Sequence, residues 1–511
     1  VAMVEATDAA GAVTWQEIVR LGPAELRDRV VGHGAEDTWT QDPAALLAIA
    51  AAHREPGSAN PYAVEPYLDA ADRALDGVEG VDALRVLAPV IRSTSLRALG
   101  RFTAAREQLT LADRRLADGA LPLSCRVELE SLVSLETGLC QLLTGRLDEA
   151  HRALRRALNV AEDRTPPAVR AEALAAVALI ELRSGGLRSA DAHLAAARIA
   201  ATQAGPAPRL GSALIELADA AVAIERGAID GIGDRLVELI AETASTEYAP
   251  LVVAESAEAS EDDDQAADLL QDVQFLVREW EAPNLPLALH DEHRIAMLVR
   301  RREVVAARAE IGRLEPDSAH SQCPPTWSAR VALDTGDPAR AIELAADCLE
   351  LGDAHAPRTA VMSMLVTAAA HAALGDIRTA DDLFDRSVAL AAPSAAVRPF
   401  GILAPHELAG LIDRSAHARN DDGGATSSRA LLDAVAARYP TRDAYSPESL
   451  SARERVVLSR LSGGATHHGI AFDLSVSPNT IKTQVRSIYR KLGVTTRDGA
   501  VQRARHLGLI D

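Results

Sequence analysis

Lys482, Thr483, Arg486 and Arg490 follow one another at intervals of one, three and four residues, which places two kinds of donor on one side of an α-helix. Such cations pair with phosphate oxygens or with the acceptor edge of guanine, and a short threonine reaches a base edge or a thymine methyl. Ile481, Val485, Ile488 and Leu492 recur at four, three and four, so the opposite side of the same helix is apolar and predicted to be buried. Ser477-Pro478 supplies its start, an N-cap followed by proline at the first helical position.

The neighbouring residues must hold that face in place. Ser451 with Glu454 reads as a capping box, Val456, Val457, Leu458 and Leu461 as an apolar stripe, and Gly463-Gly464 as the exit of a first helix. A second short helix is predicted from about Thr466 to Leu474, and a fourth from about Arg497 to Leu507. Two short helices joined by a tight turn, the second of them cationic, are the helix-turn-helix arrangement that enters a DNA major groove.

Over about sixty residues in order, the segment resembles the DNA-binding domain of LuxR-type transcription regulators. The resemblance rests on Leu450-Ser451, Arg453-Glu454, Val457-Leu458, Ile470-Ala471, Leu474, Val476-Ser477, Thr480-Ile481-Lys482, Val485, Ile488, Lys491-Leu492-Gly493-Val494, Arg497 and Gly508-Leu509-Ile510. It implies that the helix with Lys482, Thr483 and Arg486 reads DNA and that the last helix packs against a second copy. The DNA-contacting set expected from this reading is Thr466, His467, Ser477, Asn479, Thr480, Lys482, Thr483, Arg486, Arg490 and Lys491. The chain departs from the family at His467 and Gly469, where Asn and Glu are usual, and at Gln484, where His is usual. Gly469 should cost the scaffold helix about 1 kcal/mol of propensity.

Charge divides in the same way. Residues 446–511 hold ten Lys and Arg against five Asp and Glu, and with −20 overall the first 445 residues carry −25. A basic head on an acidic body confines attraction for phosphate to one end. Lys482 and Lys491 are the only lysines against 51 arginines, so no glycine-lysine-hydroxyl phosphate loop can exist in these 511 residues. Gly231-Ile232-Gly233 and Gly32-His33-Gly34 read as turns.

Apolar residues make up 48% of the chain but aromatics only 3%, which favours close-packed helices over sheets. An all-α fold is expected, with a tetratricopeptide-like helical-repeat solenoid over 1–414, a linker with one helix over 415–447 and the helix-turn-helix domain over 448–511. Its rhythm comes from turns at Gly100, Gly145, Gly185-Gly186, Gly227, Gly336 and Gly375. With Gly186 as the third, these lie 45, 41, 41, 109 and 39 apart. The long gap accommodates two further units turning near Glu261 and Arg301. In one unit Leu132, Leu135, Leu139 and Leu142 make one stripe and Leu147, Ala150, Leu154, Ala157 and Ala161 the other. Met362, Leu365, Ala369 and Ala373 with Ile377, Ala380, Phe384, Val388 and Ala391 repeat the layout. Such pairs bury their surfaces only by stacking, and the stack leaves a groove for a ligand or protein. Ahead of them, one helix from Thr14 to Val31 is predicted, contributing little core. Residues 420–428 read as the flexible part of a hinge.

Repeats before such a head resemble the large LuxR-type regulators related to the maltose regulator. That likeness implies an ATPase module ahead of the repeats, so this sequence either lacks the module or is a piece of a longer protein. Cys125, Cys140, Cys323 and Cys348 have no paired spacing and are expected to be separate buried thiols, with neither zinc nor disulfide. Glu261 to Asp264 reads as an acidic first helical turn, and His290 with His293 lacks a third metal ligand. No catalytic, metal-binding or cofactor-binding residue is assigned. With no bilayer-length apolar run and an acidic start at Glu5 and Asp8, the expectation is a cytoplasmic, non-enzymatic DNA-binding regulator. It would act as a homodimer on promoter DNA, with an effector on its repeats and RNA polymerase as partner. The alternative expectation, prompted by Gly469 and Gln484, is a repeat scaffold whose head no longer binds DNA.

Overall fold

A computed structural model describes residues 13–32, 40–118, 121–159, 165–205, 210–260, 262–314, 321–415, 426–440, 452–474, 478–492, 494 and 496–506. All of its regular elements among these residues are helical. They divide into two compact units, 1–403 with 411–435, and 404–410 with 436–511.

The first unit begins with α1 (Trp15–Arg20) and α2 (Pro23–Val31), where one helix is predicted. The break falls at Leu21-Gly22 because Pro23 has no N–H to donate and pushes the residue before it to extended angles. Thr14 and Glu17 close a capping box on α1. Contrary to the expectation of little core here, Val13, Ile18, Leu26 and Val30 are buried in one apolar cluster with α3 (Pro43–Ala52) and α4 (Glu65–Leu75).

Eight helical hairpins follow. They are α5 (Asp82–Ala98) with α6 (Phe102–Asp118), α7 (Leu123–Leu143) with α8 (Leu147–Asn159), α9 (Pro167–Arg183) with α10 (Leu187–Ala204), and α11 (Leu210–Glu225) with α12 (Ile232–Thr243). The array continues with α13 (Ala249–Ala259) and α14 (Asp263–Val277), α15 (Asn284–Arg300) and α16 (Val304–Ile311), α17 (Pro324–Asp334) and α18 (Pro338–Glu350), and α19 (Pro357–Ala373) and α20 (Ile377–Ala391). The first helix of each hairpin packs on the first helix of the next, and each second helix fills the space between. This is a tetratricopeptide-like helical-repeat arrangement with a unit of about forty residues.

The two hairpins expected in the long gap are present, and they turn without glycine. Asp262 caps α14 by accepting from the Asp264 and Gln265 amides, so part of the acidic run is a helix start; Glu261 lies outside the described residues. Arg302 takes the left-handed conformation, φ 57°, between α15 and α16. At the third turn the left-handed residue is Gly185, φ 78°, and not Gly186, φ −80°. Most stripe positions are buried as expected, whereas Ala373 and Ile377, on either side of their turn, are exposed, and Ala161 lies outside the described residues.

Turn glycines 100, 145 and 185 also meet chain from far ahead. A Cβ on Gly100 would stand 2.2 Å from Trp280 Cδ1, one on Gly145 2.8 Å from Asn284 Cβ, and one on Gly185 2.9 Å from the Arg358 amide. Hydrogen bonds seal these approaches. The Glu281 amide donates to Gly100 C=O at 3.0 Å, and Asn284 Nδ2 donates to Thr144 C=O at 2.9 Å. Beyond the array lie α21 (Pro405–Arg414) and α22 (Thr426–Arg438).

The second unit contains α23 (Ala452–Ser462), α24 (His467–Asp473), α25 (Pro478–Leu492) and α26 (Arg497–His506). Their shared core is Val457, Leu458, Leu461, Ile470, Ala471, Ile481, Val485, Ile488, Leu492, Ala500 and Ala504. Val456, placed in the stripe by its apolarity, is 43% exposed.

Candidate nucleic-acid interface

The α25 helix is held by its apolar side. Ile481, Val485, Ile488 and Leu492 are each no more than 4% exposed, so Lys482 and Arg486 between them face solvent. Cross-helix polar contacts fix the angle at which that face is presented. Ser487 Oγ donates to Glu454 Oε1 at 2.7 Å, tying α25 to α23, and Arg460 pairs with Asp473, tying α23 to α24. Arg497 donates to the Leu461 carbonyl through Nε at 3.2 Å and Nη2 at 2.6 Å, sharing with the Gly464 amide an acceptor at the C-terminal end of α23. Glu454 therefore has a partner that the local spacing did not reveal, while Ser451 lies outside the described residues.

Thr466 is exposed, and its Oγ1 accepts from the Gly469 amide at 3.1 Å as the cap of α24; its O–H is left to donate outward. His467 beside it is half-buried. Ser477 lies outside the described residues. For Asn479, Thr480, Thr483, Arg490 and Lys491 the helical backbone is described, and their side chains are not. A Cβ on Gly469 would meet only Thr466 Oγ1, at 3.5 Å, so packing does not require glycine there.

The repeat unit has polar chemistry of its own, drawn from first helices and from the turns after α3 and α12. Arg97, 1% exposed, donates through Nε and Nη2 to Glu247 at 3.1 and 2.8 Å and pairs with Glu136. Arg54 donates to the same Glu247 oxygen at 2.9 Å. Burial pushes the Glu247 carboxyl up, but Arg54 and Arg97 outweigh it and hold the pKa at about 2. Next to it Glu172 accepts from Tyr248 O–H at 2.7 Å, and burial together with the Glu136 charge raises its pKa. A cavity of about 180 Å³ opens over Arg54, Glu136 and Glu172, walled by apolar side chains such as Ile18, Leu26, Leu87, Leu135 and Ile215.

A second network joins Arg398 to Glu225, Glu258 and Glu292, with Arg183 and Arg358 on Glu292. His293 belongs to it through Glu258 at 3.0 Å, while His290 pairs with Asp291 at 2.8 Å; the two histidines therefore serve separate partners.

The four-helix geometry and its exposed cations define a helix-turn-helix domain, and residues 448–504 match the family model described as bacterial regulatory proteins, luxR family (GerE). The C-terminal domain is of that family. Among curated proteins, the probable transcriptional regulatory protein NarL of Mycobacterium tuberculosis, in strains CDC 1551 / Oshkosh and ATCC 25618 / H37Rv, is 42% identical over 81 residues. The aligned part is 16% of this chain and 38% of those relatives, so the chain spans well under half their length. Of solved structures, the Rap protein complexed with competence and sporulation factor is similar at 13% identity and a TM-score of 0.44, covering 70% of this chain and 99% of that one. The APC/C hetero-tetramer Cut9–Hcn1 is similar at 15% identity and 0.43, covering 73% and 68%. Among the described residues no helix is long and apolar enough to cross a membrane.

Proposed function

We propose that the protein is a cytoplasmic, non-enzymatic transcription regulator that binds promoter DNA as a homodimer through α25 and engages RNA polymerase there. The observation that carries the reading is the two-sided α25, apolar side in the core and Lys482 and Arg486 in solvent, within a segment of LuxR-family sequence. Thr466, His467, Ser477, Asn479, Thr480, Thr483, Arg490 and Lys491 complete the proposed contact set. Two heads would read half-sites about one helical turn apart.

Binding of the full chain to promoter fragments selected from genomic DNA, followed across salt concentrations, tests this. Log affinity should fall linearly with log salt, and Lys482→Ala with Arg486→Ala should flatten the slope by about 2 if both touch phosphate. A salt-independent response, or a double variant that regulates as well as the parent, would favour an interaction scaffold.

The head would be controlled by a signal-receiving repeat domain over 1–414, joined to it through 415–447. The cavity over Arg54, Glu136 and Glu172 supports a compact effector, apolar over most of its surface with a polar end. Ala171 lines it, so Ala171→Phe fills it. That variant should leave the promoter response of the full chain fixed in one state; a normal response would locate the effector elsewhere.

A further inference from the structure

Cys323 and Cys348 are 25 residues apart in sequence, yet their sulfurs approach to 3.4 Å, and His355 Nε2 lies 3.6 Å from Cys323 Sγ. Cys323 precedes α17, Cys348 is on α18 and His355 leads into α19, so the seventh hairpin provides two members and the connection to the eighth provides the third. All three are buried, at 0, 3 and 3% exposure, and their donor atoms lie within 4.8 Å of one another. Around a tetrahedral zinc with bonds of about 2.3 Å to sulfur and 2.0–2.1 Å to nitrogen, two sulfurs stand about 3.8 Å apart and a sulfur and a nitrogen about 3.6 Å. The sulfur–sulfur and Cys323–His355 separations need shifts of a few tenths of an ångström, and Cys348 and His355 lie within 4.8 Å of each other.

We propose that Cys323, Cys348 and His355 bind one thiophilic cation, with Zn²⁺ as the best match, and that this cation staples the seventh helical hairpin to the eighth.

The hydrogen bonds of His355 support the assignment independently. His355 Nδ1 is 3.2 Å from the Ala356 carbonyl and 3.2 Å from Thr359 Oγ1. A carbonyl only accepts, so the ring proton sits on Nδ1, which leaves the Nε2 lone pair aimed at the sulfurs, the tautomer that a metal ligand needs. Two thiolates and a neutral imidazole around a divalent cation sum to zero charge, which suits a site with no water-exposed face. A water-sized crevice of about 10 Å³ reaches Cys323 and Thr359. Soft ligands of this kind prefer Zn²⁺ or Cu⁺ over hard cations. Binding forms two metal–sulfur bonds and one metal–nitrogen bond, and any thiol proton is released to solvent.

The test uses the full chain, reduced, stripped of metal by a chelator and titrated with Co²⁺ as an optical probe. One equivalent should bind with thiolate-to-cobalt charge-transfer absorption, Zn²⁺ should displace it, and either metal should raise the melting temperature. Cys323→Ser combined with Cys348→Ser should abolish the absorption, and His355→Gln should weaken binding at least about tenfold. Should those variants misfold, alkylation of the parent protein decides: Zn²⁺ should protect two thiols and leave half-buried Cys125 reactive. A folded, reduced parent that gives no charge-transfer band and no protection overturns the site, as does a pair that oxidises readily to a disulfide while taking up no metal.

Discussion

Arg97 lies buried between two carboxylates, so its removal leaves Glu136 without its ion pair. Arg97→Ala should destabilise the repeat unit by about 3–5 kcal/mol in chemical denaturation, with the larger share from Glu136, because Glu247 keeps Arg54. Glu247 makes the same network sensitive to acid. Its folded pKa of about 2 lies below the ordinary 4.5, so the stability it confers is complete above about pH 4.5 and is lost as pH falls towards 2. Glu172 is shifted the other way, and its share is lost as pH rises through its raised folded value. Acid melts of the repeat unit should steepen below pH 4.5, and Glu247→Gln should flatten that slope while lowering stability at neutral pH. In the head, Gly469 has space for a methyl group, so Gly469→Ala should raise the melting temperature of the C-terminal unit, a gain of about 0.5–1 kcal/mol, and leave DNA affinity unchanged.

At the scale of elements, the turn glycines fall into two sorts that the sequence does not separate. Gly336 and Gly375 have nothing within 4 Å of a built Cβ, whereas Gly100 has the Trp280 ring at 2.2 Å. Gly336→Ala should therefore cost only the left-handed backbone strain, about 1–2 kcal/mol. Gly100→Ala should cost that plus the displacement of Trp280, about 2–5 kcal/mol in all, and should shift the tryptophan emission. Rhythm is legible in a sequence because a turn and its two stripes lie within about forty residues. Contact between the first and fifth hairpins is not, because it depends on how far each unit rotates on the last. The same limit hid the Cys323–Cys348 pair, whose spacing matches no local pattern, and the inward face of Arg97, Glu136 and Glu247. The head was legible almost throughout, since cap, turn and core spacing all act within a few residues. The misplacement of Val456 came from reading apolarity without helical phase.

Over the whole molecule, the contrast between a net −25 in residues 1–445 and +5 in residues 446–511 sets a long-range field as well as local contacts. Against the same DNA, residues 440–511 alone should bind more tightly than the full chain at low ionic strength, once circular dichroism confirms that the piece folds. The advantage should vanish as salt shortens the Debye length to about 3 Å near 1 M. Equal affinity at every salt concentration would show that the acidic body does not oppose the head.

The Arg97–Glu247 pair spans 150 residues, and ribosomes add roughly 5–20 residues each second. The guanidinium therefore emerges about 8–30 s before Glu247 does, whereas Glu136, 39 residues on, follows it much sooner. During that interval Glu136 alone is there to balance the guanidinium, so the polar network of the early hairpins closes only when the segment carrying Glu247 arrives.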